Sequence, residues 1–149
     1  KHDVNDSESL RFRIITQPIG DSLSIRFIRR GKKQSVTFRI EAPPEKPIIN
    51  KTELNGFNPL QGVLIGNLSP ALADQIGKSL FLHGVIVLKI RQGSPAQRFG
   101  FQRYDIIKKL NGSEVRRIKQ LQSLLSKKPD QWVITINRSG KILSMTVKR

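Results

Sequence analysis

The sequence predicts a mainly β chain with short helices (α+β): a partly open β-sandwich or barrel capped by helices, preceded by a partial module of the same kind. Three observations carry this. Apolar and polar residues alternate over short runs that end in turn pairs, which is the pattern of half-buried hairpin strands. The stretch Gly93–Gly112, reading GSPAQRFGFQRYDIIKKLNG, sets a short helix, a buried strand and a tight turn in succession. The two ends of the chain also resemble each other.

In the first copy of this repeat, Leu10 and Ile14 lie on one helical face. Leu23, Ile25 and Phe27 alternate along a strand, Arg30–Gly31 turns the chain, and Val36, Phe38 and Ile40 alternate back. In the second copy, Ile118, Leu121, Leu124 and Leu125 form a helical stripe. Trp132, Ile134 and Ile136 follow on a strand, Ser139–Gly140 turns, and Leu143, Met145 and Val147 return. Val4 and Leu10 align with Val115 and Leu121 at a spacing of 111. Ile25, Phe27, Arg29, Gly31 and Lys32 align with Ile134, Ile136, Arg138, Gly140 and Lys141 at a spacing of 109.

The second copy is preceded by Asn55–Gly112, which supplies earlier strands and two short helices; the first copy has no such stretch before it among these 149 residues. Residues 1–42 are therefore expected to be the C-terminal half of a module, with Lys1 starting inside a domain. A lone helix and hairpin bury little apolar surface. This half is expected to pack on the complete domain, to pair with another chain, or to be a proteolytic remnant. Ala42–Pro47, reading APPEKP, is a proline-rich extended linker. Ile48–Asn58 reads as a second polar connection with a turn at Asn55–Gly56. The expected layout is a half-module over 1–42, a linker over 43–55 and a complete domain over 56–149.

Within that domain Val63–Ile65 reads as a strand, and Ser69–Pro70 starts a short helix that Gly77 ends. Val85–Arg91 reads as a further strand. Ser94 can cap the next helix, Pro95 suits its first position and Gly100 can end it. Asp105–Leu110 carries Ile106, Ile107 and Leu110, and Asn111–Gly112 closes a turn. This order resembles the middle of a PDZ domain, matching its usual run at Gly93, Ser94, Pro95, Ala96, Gly100, Asp105, Ile106, Ile107, Asn111 and Gly112. It departs at Tyr104, where that family usually has Gly, so a different turn before Asp105 is expected.

The fragment Leu60-Gln61-Gly62-Val63 is similar in pattern to the carboxylate-binding loop of PDZ domains. Glycine can turn unpaired N–H groups inward without a Cβ in the way, and such a nest binds an anion. The strand Val63-Leu64-Ile65 is expected to present an open edge to an incoming peptide. The opposite wall is the helix Arg116–Lys127, with Ile118, Leu121 and Leu125 facing the core and Lys119, Gln122 and Ser126 as candidate peptide contacts. Leu60, Val63 and Ile65 favour a ligand that ends in a small or aliphatic side chain.

Composition narrows the function classes. The chain has 149 residues, 37% of them apolar, enough for one ordinary domain or two small ones. No run approaches the roughly 20 apolar residues that cross a bilayer. Lys1–Leu10 is polar, so any targeting segment is expected upstream. There is no cysteine, hence no disulfide, thiolate nucleophile or Cys-based zinc site.

The net charge of +16 is uneven. Residues 1–45 hold 9 Lys and Arg against 6 Asp and Glu, and residues 46–149 hold 18 against 5. Such an excess attracts polyanions, so a free-standing basic adaptor is the rival reading. The basic residues Arg26, Arg29, Lys89 and Arg91 alternate with apolar ones, which suits a solvated surface better than a dedicated anion site. Nucleic acid is disfavoured because few aromatics are available to stack bases.

Catalysis finds no support in the residues. The two histidines, His2 and His83, lie near the start and in a turn before Gly84. The five carboxylates after residue 46 (Glu53, Asp74, Asp105, Glu114 and Asp130) are scattered, and Asp105 reads as stabilising its own turn. No nucleophile elbow, metal spacing or phosphate loop occurs. No cofactor is expected.

Tandem modules of this kind with a proline-rich linker resemble the C-terminal part of HtrA/Do-like bacterial serine proteases. The similarity is specific at Gly20–Lys32 (GDSLSIRFIRRGK), Asn58–Leu72 (NPLQGVLIGNLSPAL) and Gly93–Gly112. It covers nearly the whole chain. That resemblance implies a trypsin-like parent whose triad lies outside this chain, a periplasmic location and a role in protein quality control. It implies binding to C-termini or unfolded polypeptides, or assembly with other subunits of the same protease.

Overall fold

A computed structural model describes residues 3–148, which divide into two compact units between Ala42 and Pro43. In the first unit, α1 (Ser7–Ile15) starts at Asp6, whose carboxylate accepts the Ser9 N–H at 2.7 Å. That bond holds the Asp6 carboxyl below its ordinary pKa. Leu10 and Ile14 are the half-buried residues of the helix, as their shared face requires. β1 (Ser22–Arg29) and β2 (Lys32–Arg39) pair antiparallel, closed by Arg30–Gly31 with φ of 52° and 73°. Two positive φ values match the right-handed twist of a two-residue hairpin. Among the described residues of this unit none is buried, because one helix and one hairpin cannot enclose a side chain.

The second unit holds β3 (Thr52–Glu53), β4 (Val63–Asn67), α2 (Pro70–Gln75), β5 (Val85–Ile90) and α3 (Pro95–Arg98). It continues with β6 (Ile106–Leu110), β7 (Ser113–Glu114), α4 (Ile118–Leu125), β8 (Gln131–Arg138) and β9 (Lys141–Lys148). The strands run β3-β4-β5-β6-β8-β9, all neighbours antiparallel, with β7 beside β6. The result is mainly β with short helices and an open sheet, the class the sequence predicts. Leu60, Val63, Ile65, Val85, Val87, Ile107, Leu121, Trp132, Ile134 and Ile136 pack into one apolar core.

Local signals are realised where the chain places them. Ser94 caps α3, accepting the Gln97 N–H, and Ser69 caps α2 in the same way. The α4 stripe buries Ile118, Leu121 and Leu125; the helix is two residues shorter at each end than the expected Arg116–Lys127, and the Gln120 side chain accepts the Arg116 and Arg117 N–H groups before it. Asp105 does stabilise its turn, accepting the Gln102 N–H at 2.8 Å. Tyr104 keeps the turn that glycine would make, adopting φ of 71° while its N–H reaches the Val87 carbonyl at 2.8 Å. The expected difference at that position is thus a strained residue in place of a different turn. Within 43–55, expected to be linker, the chain forms β3, and the Pro44 carbonyl accepts the Ala71 N–H at 3.1 Å.

Candidate binding groove

The groove is built around Gly62. Its φ is +88°, and a Cβ there would lie 2.5 Å from the Cβ of Ser94, so no other residue fits without displacing α3's cap. The loop before it is set by Asn58, whose side chain accepts the Leu60 N–H at 3.0 Å. Gly62 also accepts the Arg91 N–H at 2.8 Å, which fastens the loop to the strand beside it. β4 then runs antiparallel to β5, from Val63 opposite Ile90 to Asn67 opposite Val85.

The sequence predicts an open edge along the other margin of β4. It is filled by the chain's own residues. Gly62 donates to the Leu54 carbonyl at 2.8 Å, Leu54 donates to the Val63 carbonyl at 2.8 Å, and Asn67 donates to the Ile49 carbonyl at 2.7 Å. Between these, Thr52 pairs with Ile65 and Glu53 with Leu64. The expectation of an exposed edge is therefore corrected. The turn at Asn55–Gly56, with Gly56 at φ of 90°, lets residues 49–54 double back along β4. Leu54 is 4% exposed and belongs to the same apolar cluster as Leu60, Val63, Ile65, Leu121 and Leu125.

Asn67 ties this arrangement to the helix. Its side-chain amide donates to the Ile48 carbonyl at 3.0 Å, and its side-chain oxygen accepts the Ile118 N–H at 2.9 Å. One buried side chain thus holds the start of the segment and the first turn of α4. A shallow cavity of about 530 Å³ lies against Gly62 and Leu64. Glu53 and Arg91 border it and form an ion pair at 3.6 Å.

The residues proposed from sequence fall into two groups. Leu60, Gly62, Val63 and Ile65 are buried, and Gln61 and Leu64 half-buried, all on one loop and strand. Lys119, Gln122 and Ser126 are exposed on or just after α4, and the Ser126 hydroxyl donates to the Ser123 carbonyl at 2.8 Å. Sequence reasoning missed Thr52–Leu54 and the bridging side chain of Asn67. The available signal was Leu54 itself, the one apolar residue between Ile49 and the Asn55–Gly56 turn.

A polar cluster surrounds His83. Its ring lies 3.4 Å from Glu114, which also receives the Arg116 guanidinium at 3.1 Å. Lys108 donates to the His83 carbonyl at 2.7 Å, and partial burial lowers its pKa. His2 lies outside the described residues. Among the described residues no group of His, Cys, Asp and Glu could hold a metal ion, and no helix is long and apolar enough to cross a membrane.

Comparison with known proteins places these features. The sequence pattern of the family described as PDZ domain matches residues 54–148. The periplasmic serine endoprotease DegP of Escherichia coli (strain K12) is 23% identical over 145 residues, covering 97% of this chain and 28% of DegP. The chain thus spans little more than a quarter of the length of that relative. The solved structure of HtrA-type protease AlgW with a decapeptide has a TM-score of 0.52 at 24% identity, covering 58% of this chain and 27% of that one. The HtrA3 PDZ domain bound to a phage-derived ligand has a TM-score of 0.50 at 20% identity, covering 86% of this chain and 88% of that one.

Proposed function

Because the chain belongs to the PDZ domain family, we propose that its second unit is a polypeptide-binding module that adds an extended segment along β4. Leu60, Gln61 and Gly62 form the loop, and Val63, Leu64 and Ile65 form the pairing strand. Lys119 and Gln122 lie on the facing helix and Ser126 caps its end. One observation carries this reading. The groove already accepts an extended strand, with the Leu54 side chain buried and both its main-chain groups paired, at Val63 and Gly62. A margin that pairs with one segment is chemically suited to pair with another of the same kind. The peptide ligands named in the AlgW and HtrA3 structures point the same way.

The relatives support a wider setting for this proposal. The parent protein is a Do-like serine endopeptidase of the periplasm, the compartment named for DegP. Its work is protein quality control, and residues 1–42 are the C-terminal half of a preceding module. The ligands are C-termini or unfolded segments with an aliphatic residue at the position of Leu54. Titration with a peptide library bearing free or amidated C-termini tests this. Saturable binding of aliphatic peptides that responds little to salt is expected. Equal affinity for both forms removes a carboxylate from the Gly62 loop, and binding that collapses with salt replaces the groove with the basic surface.

The filled margin favours a second reading, assembly with other subunits of the same protease. Light scattering on the chain distinguishes it, because a monomer at all concentrations excludes self-assembly through this unit.

A further inference from the structure

Residues 49–54 do more than finish a sheet. We infer that Ile49–Leu54 is a tethered occupant of the peptide groove, which must swing off β4 before another polypeptide can add there. This rests on the peptide-binding reading above and adds its regulation.

The segment takes the main-chain groups that β4 presents on that side: the N–H of Gly62, the carbonyl of Val63 and the N–H of Asn67. An incoming strand needs the same groups, so segment and ligand exclude each other. Yet the attachment, main-chain bonds and the Asn67 side chain at Ile48, buries few side chains. Of residues 48–55 only Leu54 is buried; Ile49 and Thr52 are half-buried and the rest exposed. The ladder pairs just two residues, against five between β4 and β5. The Glu53–Arg91 ion pair is more than half exposed at both ends, where such pairs contribute little. Left-handed residues flank it, Asn50 at φ of 46° and Gly56 at 90°. A short strand with one buried anchor belongs to the part of a fold that opens locally while the rest stays closed.

Opening would withdraw Leu54 from the apolar cluster it shares with Leu60, Val63 and Leu121. The occupant that restores this burial is an extended peptide with an aliphatic side chain. Because the competitor is tethered, apparent affinity falls by the fraction of molecules that are open. Weakening the tether therefore strengthens binding without touching the groove.

A disulfide across Glu53 and Leu64 tests the idea in the whole chain. Leu54 exchanges hydrogen bonds with the Val63 side of the ladder, so Glu53–Leu64 is the alternate, non-hydrogen-bonded pair. Such pairs have Cα atoms about 4.5 Å apart, within the range a disulfide spans. The chain has no other cysteine. The variant Glu53→Cys/Leu64→Cys is compared oxidised and reduced, so each form controls for the folding of the other. Two quantities are read: affinity for a fluorescent peptide ending in Leu, and hydrogen exchange at the Gly62, Asn67 and Val87 amides.

Oxidation is expected to weaken peptide binding at least tenfold, reversed on reduction. In the reduced form Gly62 and Asn67 should exchange at least tenfold faster than Val87, which is bonded to Asp105 inside the sheet, and oxidation should remove that difference. Equal peptide affinity in both forms overturns the inference. So does exchange of Gly62 and Asn67 as slow as Val87 in the reduced form, since the segment is then a permanent strand. If neither form binds peptide while the exchange difference appears and closes on oxidation, the tethered occupant stands and the peptide-binding reading falls.

Discussion

Arg138 grips Asp105 with two hydrogen bonds of 2.7 Å, Nε to one carboxylate oxygen and Nη2 to the other. Asp105 has no exposed surface, while Arg138 reaches it from the rim of the sheet and also donates to the Gly100 carbonyl at 2.9 Å. The carboxylate in turn raises the pKa of the guanidinium. The pair joins the loop after α3 to the last residue of β8, next to the Ile106–Asn137 partners where β6 meets β8. Arg138→Ala leaves a buried charge without its partner. Urea denaturation should report a loss of about 3 kcal/mol. Arg138→Lys should recover only part of it, because a single ammonium cannot reproduce the two-pronged bond. A loss under about 1 kcal/mol would show that water reaches Asp105 and that the pair contributes little.

Gly62 and Gly112 separate backbone strain from steric fit. Both have positive φ, +88° and +77°, but a Cβ on Gly112 meets nothing within 4 Å whereas one on Gly62 meets Ser94 at 2.5 Å. Gly112→Ala should cost about 1 kcal/mol, the conformational term alone. Gly62→Ala should cost visibly more in the same thermal melts and should weaken peptide binding, because the loop must move to clear α3. Equal losses for the two variants would mean that Ser94 yields freely.

The Arg116 bond holds the Glu114 carboxyl below its ordinary pKa, and His83 adds to the effect. A carboxylate depressed on folding contributes stability above its unfolded pKa. The contribution fades as pH falls through the lower folded value. Glu114 is exposed, so the contribution is small, but its titration is directly observable by carboxyl NMR. Arg116→Ala should move the midpoint up toward the ordinary glutamate value of about 4.3. A midpoint that stays put would credit His83 with the depression instead.

Much of the architecture was legible residue by residue. Ser94 before Pro95 marked the start of α3, and Asn111–Gly112 marked the turn between β6 and β7. The spacing of Ile118, Leu121 and Leu125 marked the buried face of α4. Arg30–Gly31 and Ser139–Gly140 announced two hairpins closed by the same kind of turn, with φ of 52° and 73° in one and 50° and 86° in the other. These signals are readable because caps, turns and periodicity act between residues a few positions apart, through side chains or a missing Cβ.

The sequence alone therefore determined the fold class, the hairpins, the helix faces and the loop at Gly62. Only the folded chain decided what lies against that loop. Strand pairing is made by N–H and C=O groups that every residue carries, so Lys51-Thr52-Glu53-Leu54 bears no mark of its partner. β4 became that partner because the turn after Leu54 returns the chain beside it, where one leucine can be buried and the free amides of Gly62 and Asn67 can be satisfied.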